Sequence, residues 1–431
     1  MDKDSISRLG VNPELFDDRS SEKPAPDKHN SIITLYMRKE PIVHCIYCGS
    51  SDIDRRGTKQ ITIKHSTETE KRIVIFLYVH QYRCNTCTHY FPQKNPFIVQ
   101  GKQHSHDCDL QILNALRDNT NSYSKVAKDF NVSTTYVLNL FDKKVQLNRL
   151  SMPHVLSIDE VYIRKLTKTR YCCVLYAPVW QKIVDVLECR KKDFLINYFA
   201  RIPLKEKDDV YFVSMDLYSN YRDVIKLCLP MAVICADSFH VIKNLNDSFN
   251  RIRIRIMKSF DKGKYDQSGY YWLLKKYWKY LLMNIKDHSK PITVNRTGMT
   301  MLPDQLIEHM LSVDNELKIA YNLKEAYREF NLSATTKDAE ERLDILILAF
   351  KNSKIREYKS FVTILQNWHQ EIINSFNVFD GRRISNGNLE RKNADIKTLI
   401  RVSFGSTNFE RTRNRIMFCS NKNAPIKGER K

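Results

Sequence analysis

The stretch VLSIDEVYI (155–163), followed by YCCVLYAPV (171–179) and KIVDVLEC (182–189), decides the fold of this chain. The three segments are short, apolar and rich in Val, Ile and Tyr, which predicts three successive strands. Moving toward the C-terminus, a helical pattern covers 193–201 and a strand, VYFVSMD, covers 210–216. A helix over 219–228 and a strand, AVICAD (232–237), complete the order βββαβαβ. Strands alternating with helices in this way predict an α/β domain over residues 151–245.

Acids interrupt these apolar runs. Asp159 lies inside the first strand with Glu160 beside it, Asp216 ends VYFVSMD, and Asp237 ends AVICAD. A carboxylate at the end of a buried strand is costly unless something compensates it, and a divalent cation is one answer. A further acid, Glu390, lies in the helical segment ISNGNLERKNADIKTLIR (384–401). Adjacent strands bring Asp159 and Asp216 together, and a helix on the sheet adds Glu390. Three carboxylates can hold two magnesium ions about 4 Å apart, one serving the attacking hydroxyl and one the leaving oxygen. Magnesium suits oxygen ligands and retained waters, with manganese as its substitute. Asp237 is the alternative to Asp216, and strand adjacency favours Asp216. His240 and Lys243, on the turn after Asp237, are expected to contact phosphate or water, with metal ligation the second reading of His240. Lys397 follows Glu390 by seven residues and shares its helix face, with Arg401 further along.

Between the first two acids and the last, residues 246–380 are dominated by helical patterns such as YYWLLKKYWKYLLMNI (270–285) and AEERLDILILAFKN (339–352). They predict an all-α insertion whose rings, including Tyr270, Trp272 and Trp278, form its core. Residues 381–420 are expected to return to the core as the helix that carries Glu390.

Toward the N-terminus, SYSKVAKDFNVSTTYVLNLFDKK (122–144) has the spacing of a helix-turn-helix within residues 105–150. Val126, Ala127 and Phe130 face inward, Asn131 and Val132 make the turn, and Ser133 caps the second helix. Thr134, Thr135, Tyr136, Asn139 and Lys143 are left outward, with side chains able to bond base edges or phosphates. Residues 31–100 carry Cys45-Ile-Tyr-Cys48 and Cys84-Asn-Thr-Cys87, two turns offering four sulfurs for a structural zinc. So little apolar material surrounds them that zinc is expected to supply much of the segment's stability. Residues 1–30 are polar and read as a mobile leader.

Seventy Lys and Arg against 49 Asp and Glu give the 431-residue chain a net charge of +21, a field that attracts polyanions. Its sequence has no apolar run long enough to cross a bilayer and no signal peptide, so a cytoplasmic location with reduced cysteines is expected.

The sequence of motifs resembles one family. A CxxC…CxxC ribbon, a helix-turn-helix, SIDE, SMD, ADSFHVIKNL (236–245) and SNGNLERKNADIK (385–397) occur in the order of ISL3 insertion-sequence transposases. The closing RVSFGSTNFERTRNRIMF (401–418) also looks like that family's terminal signature. The resemblance implies a DDE transposase with an RNase H-like core interrupted by a helical insertion. It places the three catalytic acids at Asp159, Asp216 and Glu390, without deciding whether Asp237 binds metal. It further implies double-stranded DNA as partner, both the element's inverted repeats and the target, and at least a homodimer for pairing two ends. A catalytically inactive zinc-containing DNA-binding regulator derived from such an enzyme is the alternative.

Overall fold

The computed structural model describes residues 1–24, 30–39, 44–68, 71–98, 103–163, 170–260, 265–283, 290–294, 298–403 and 408–427. They form two units: Met1–Leu147 with Thr398–Ser406 and Glu410–Lys431, and Asn148–Lys397 with Thr407–Phe409.

The first unit opens with helix α1 (Lys3–Ser7), whose N-cap Asp2 accepts the Ser5 amide. A sheet follows, built from β1 (Ser21–Pro24), β2 (Asn30–Tyr36), β3 (Ile53–Glu68), β4 (Lys71–Cys84) and β5 (Tyr90–Pro92). Its order is β1-β2-β4-β3, with β5 also on β4. β4 shows why: Ile73, Ile75, Leu77 and Val79 alternate with half-buried residues, the period of a strand with one buried face. That face meets Ile33, Leu35 and Ile63, together with Ile6, Leu9 and Phe16 from the first residues of the chain. Two expectations change here. The leader is folded in its first 24 residues, because its few apolar side chains are spaced to cover one end of this core. The sheet also has a hydrophobic core of its own, separate from the smaller cluster of Cys45, Tyr82, Cys84 and Phe91, so the segment buries more apolar material than expected.

Three helices come next: α2 (His106–Ala115), α3 (Tyr123–Asp129) and α4 (Thr134–Lys144), N-capped by Ser105, Ser122 and Ser133. Val126, Ala127, Val137, Leu140 and Phe141 are buried as expected, and Asn131 takes a left-handed φ of 51° in the turn. Lys64 of β3 donates to the Asn131 carbonyl, and Arg72 of β4 donates to those of Lys128 (3.0 Å) and Asp129 (3.2 Å). Cations from the sheet thus satisfy the carbonyl end of α3, where the helix dipole favours positive charge.

The second unit is built on β6 (Val155–Tyr162), β7 (Tyr171–Ala177), β8 (Lys182–Leu187), α5 (Lys192–Ala200), α6 (Leu204–Asp208), β9 (Phe212–Met215), α7 (Ser219–Cys228) and β10 (Val233–Ala236). The expected order holds, with the short α6 added. The sheet runs β10-β9-β6-β7-β8. β6 is its central strand, parallel to β9 and antiparallel to β7, and β10 extends the parallel side. Alternation along β6 sends Leu156 and Ile158 into the main core. Val155 packs on the opposite face with Cys235 and Ile384.

α8 (Ser238–Ser259) leads into the helical insertion, which holds α9 (Tyr265–Lys276), a small hairpin of β11 (Ile292–Thr293) and β12 (Thr300–Met301), α10 (Pro303–Leu311), α11 (Asn315–Ser333), α12 (Ala339–Asn352), α13 (Tyr358–Asn367) and α14 (His369–Asn374). α12 spans the residues that the pattern predicted. The predicted 270–285 helix instead breaks after Lys276 into a 3-10 turn at Trp278–Leu281. Its inward ring positions shift by one: Tyr271 and Tyr277 are buried, whereas Tyr270 and Trp272 are exposed. Lys275 lies 4.6 Å over the Trp272 ring, so that face is an amphipathic surface rather than core.

A second hairpin, β13 (Val378–Phe379) and β14 (Arg382–Arg383), precedes α15 (Gly387–Val402) and α16 (Phe409–Ser420). The segment expected to return as one core helix is therefore two, and α16 belongs to the first unit. There Arg415, 2% exposed, donates to the carbonyls of Leu116, Asp118 (3.1 Å) and Asn121 (2.8 Å) at the end of α2. Phe418 meets Phe141 edge-on at 5.8 Å. Amphipathicity announced a buried face on α16 but not the partner that buries it.

Candidate active site and metal centres

In the sheet of the second unit, Ile158 pairs with Met215, and Met215 pairs with Ala236. The next residue on each strand is an acid. Asp159, in the middle of β6 where its parallel pairing with β9 ends, therefore stands in one row with Asp216 and Asp237, which directly follow β9 and β10. Asp216 holds the middle place, one strand spacing (~4.8 Å) from each neighbour. Asp237 also starts α8, its side chain accepting the Phe239 amide at 3.4 Å.

Asp159 is 8% exposed; its oxygens accept the Glu160 amide (2.7 Å) and the Asn393 side-chain amide (2.6 Å). Asn393 lies on α15 one turn beyond Glu390, and Asn386, just before α15, donates to the Ile158 carbonyl at 3.3 Å. These two asparagines fasten α15 to β6 and so bring Glu390 to the acid row. Sequence reasoning missed both, although the SNGNLERKN stretch held them. It also missed Arg190, which pairs with Glu160 and lies over the rings of Tyr171 (4.4 Å) and Tyr218 (5.1 Å).

Among the described residues, Asp216 Oδ1, Asp237 Oδ2 and Glu390 Oε1 are buried acceptors with no hydrogen-bond partner. Orphaned carboxylate oxygens of neighbouring acids suit a divalent cation, which would neutralise their charge. Asp159, Asp216 and His240 each offer a ligand atom, and these atoms lie within 4.8 Å of one another. Glu390 feels the charges of Asp159 and Asp237. Lys397 is exposed yet close enough to favour the charged form of Asp159, while Lys243 and Arg401 are exposed.

Electrostatics give the row a pH dependence. Burial pushes Asp216 up to about 7, with the charges of Asp159, Glu160 and Asp237 adding to it. Asp237 is pushed up to about 7 by burial, then by Glu390 and Asp159. Against an ordinary 3.8, both groups stabilise the cation-free fold fully below about pH 4 and progressively less as pH rises to about 7. A cation binds their charged forms, so its affinity should climb over the same window with release of protons. Calorimetric titration of magnesium at pH 6 and pH 8, in buffers of different ionisation enthalpy, reads both effects. An affinity indifferent to pH would contradict them.

The first unit holds the second cluster. The four sulfurs of Cys45, Cys48, Cys84 and Cys87 lie within 4.8 Å of one another, with Cys45–Cys87 at 3.5 Å and Cys48–Cys84 at 3.6 Å. Thiolates on a tetrahedral zinc are about 3.8 Å apart, from a Zn–S distance of ~2.3 Å. The residue after each pair is left-handed, Gly49 at φ 76° and Thr88 at φ 63°, which curls the two turns toward each other. The Cys87 amide donates to the Cys84 sulfur at 3.5 Å and helps hold that thiol down to about 6. On α4, Thr135, Asn139 and Lys143 are exposed and Thr134 is half-buried. Tyr136 differs from expectation: its hydroxyl donates to Asp109 and its ring packs on His104 at 4.2 Å.

Among the described residues, no helix is long and apolar enough to cross a membrane. Residues 156–416, more than half of the chain, match the family model DDE_Tnp_ISL3, described as a transposase. No curated protein matches the chain.

Proposed function

The chain belongs to the ISL3 family of DDE transposases, and from that premise we propose that it cuts the ends of its own insertion sequence and joins them to target DNA. The observation that carries this reading is the row of Asp159, Asp216 and Asp237 on adjacent strands, with Glu390 of α15 near enough for its charge to act on Asp237. Asp159, Asp216 and Glu390 are the proposed ligands of two magnesium ions, for which manganese can substitute. Bound there, the ions would lower the energy of the attacking and leaving oxygens in an in-line displacement. Asp159 is proposed to serve both positions, since its charge acts on Asp216 and on Glu390. Asp216 is preferred over Asp237 because its ligand atom lies in the close set with Asp159, whereas Asp237 already caps α8.

The chain's own groups orient the DNA. Lys397, Lys243 and Arg401 place cations beside the phosphates, and no covalent link to protein is required. Water and then the freed 3′ hydroxyl are the nucleophiles. α3 and α4 act as a helix-turn-helix on the inverted repeats, with Thr134, Thr135, Asn139 and Lys143 as contacts. Tyr136 is reassigned to packing, since its hydroxyl is engaged by Asp109. A zinc ion on the four cysteines stiffens the turns beside them. Two ends must be paired before joining, so the working form is a homodimer or larger.

The test uses the purified chain, a labelled duplex carrying the element's end, and magnesium. A nick leaving a 3′ hydroxyl at the end, followed by its joining to a second duplex, is the expected result. A chain that binds the end and never cuts it is the inactive regulator instead.

A further inference from the structure

His240 stands on the first turn of α8, three residues after the cap Asp237, and its main-chain amide donates to the Asp237 carbonyl at 3.1 Å. That turn aims the imidazole at the acid row. A ring nitrogen lies within 4.8 Å of carboxylate oxygens on both Asp159 and Asp216, and Nε2 is 3.8 Å from Asp237 Oδ2. None of these is a hydrogen bond. The ring is three-quarters buried, has Phe239 edge-on at 5.5 Å, and no hydrogen bond to it is found among the described residues. A half-enclosed imidazole facing carboxylates at more than hydrogen-bond distance is what a metal-ligand set looks like before it closes. Around an octahedral ion with bonds of ~2.1 Å, neighbouring donors are about 3 Å apart and opposite ones about 4 Å. The observed set, within 4.8 Å, is slightly wider than those spacings.

We infer that His240 is a direct ligand of the cation held between Asp159 and Asp216, so that the two cation positions of this site are chemically different. The position beside Glu390 is made of oxygen donors and suits magnesium. The one at His240 mixes nitrogen with oxygen and favours a first-row transition ion such as manganese. This assignment replaces the phosphate contact first expected of His240 from sequence. It rests on reading the acids as a cation site, and the experiment separates the two ideas.

Manganese is added to the full chain at up to two equivalents and examined by pulsed electron paramagnetic resonance. The expected spectrum shows 14N modulation from a bound imidazole, lost in His240→Gln. The variant should also bind manganese about tenfold or more weakly, at least what an outer-shell partner is worth, with a smaller change for magnesium. Asp159→Asn should lose the signal as well, and circular dichroism confirms that both variants are folded. Manganese that binds the wild type without 14N modulation, or modulation that survives in His240→Gln, overturns the inference and leaves the carboxylate site standing. A wild-type chain that binds no manganese overturns the cation site itself.

Discussion

Asp159→Asn should reduce DNA cleavage and strand transfer by on the order of 10^3-fold or more while leaving binding of the element's ends unchanged, since a metal ligand is worth several kcal/mol in the transition state. The substitution keeps the shape of the side chain and removes its charge. Its one amide oxygen can still accept from Asn393 and keep α15 fastened to β6, while the bond that Asp159 accepts from the Glu160 amide is lost. The lost charge has a second consequence. Asp216, Asp237 and Glu390 are all disfavoured as anions by Asp159. Without cation, the variant should therefore melt no lower than the wild type at pH 8, although it is inactive. Inactivity with retained stability marks a group kept for chemistry at a cost to the fold. A parallel assay of end binding, cleavage and thermal unfolding reads all three, and a variant that cuts at the wild-type rate would remove Asp159 from the mechanism.

Cys84→Ser should take the zinc content of the chain from one equivalent to near zero, because four thiolates are needed to close the tetrahedron. The damage should stay local. Amide hydrogen exchange ought to speed up around Cys45–Gly49 and Cys84–Phe91, whose own core is only Cys45, Tyr82, Cys84 and Phe91. The middle of β4, with Ile73, Ile75, Leu77 and Val79 packed against Ile33 and Leu35, should keep its protection. Binding to the inverted repeats should weaken as the knuckles lose their shape. Zinc analysis and exchange mass spectrometry decide the matter. A sheet that unfolds throughout would return zinc to the larger role that the sequence suggested, and a wild type without zinc would dismiss the site.

The contrast between these two clusters shows where sequence is informative. The strands of the second unit were legible because VLSIDEVYI and its neighbours combine β-branched residues with short length, and the acids stood out as polar residues in apolar runs. The pairing of each acid with a particular neighbour was not legible, since register is set by the whole sheet. Asn393 and Asn386 looked like ordinary helix polar residues until α15 met β6. His240 was visible as a residue type, but its aim depends on the turn that Asp237 caps. At the N-terminus, Ile6, Leu9 and Phe16 were too sparse to signal a fold, and only the exposed edge of the β2–β4 core gives them a purpose. α16 shows the same limit: Arg415 looks like any basic surface residue until the carbonyls at the end of α2 enclose it.

This site is expected to transfer phosphodiester bonds directly, by in-line attack between carboxylate-held cations. The stereochemistry at phosphorus tests it most directly, with a single chiral phosphorothioate placed at the target bond. Each strand-transfer event should invert the configuration, as one displacement must. Retention would mean two displacements through a covalent protein–DNA intermediate, and would rule out direct attack.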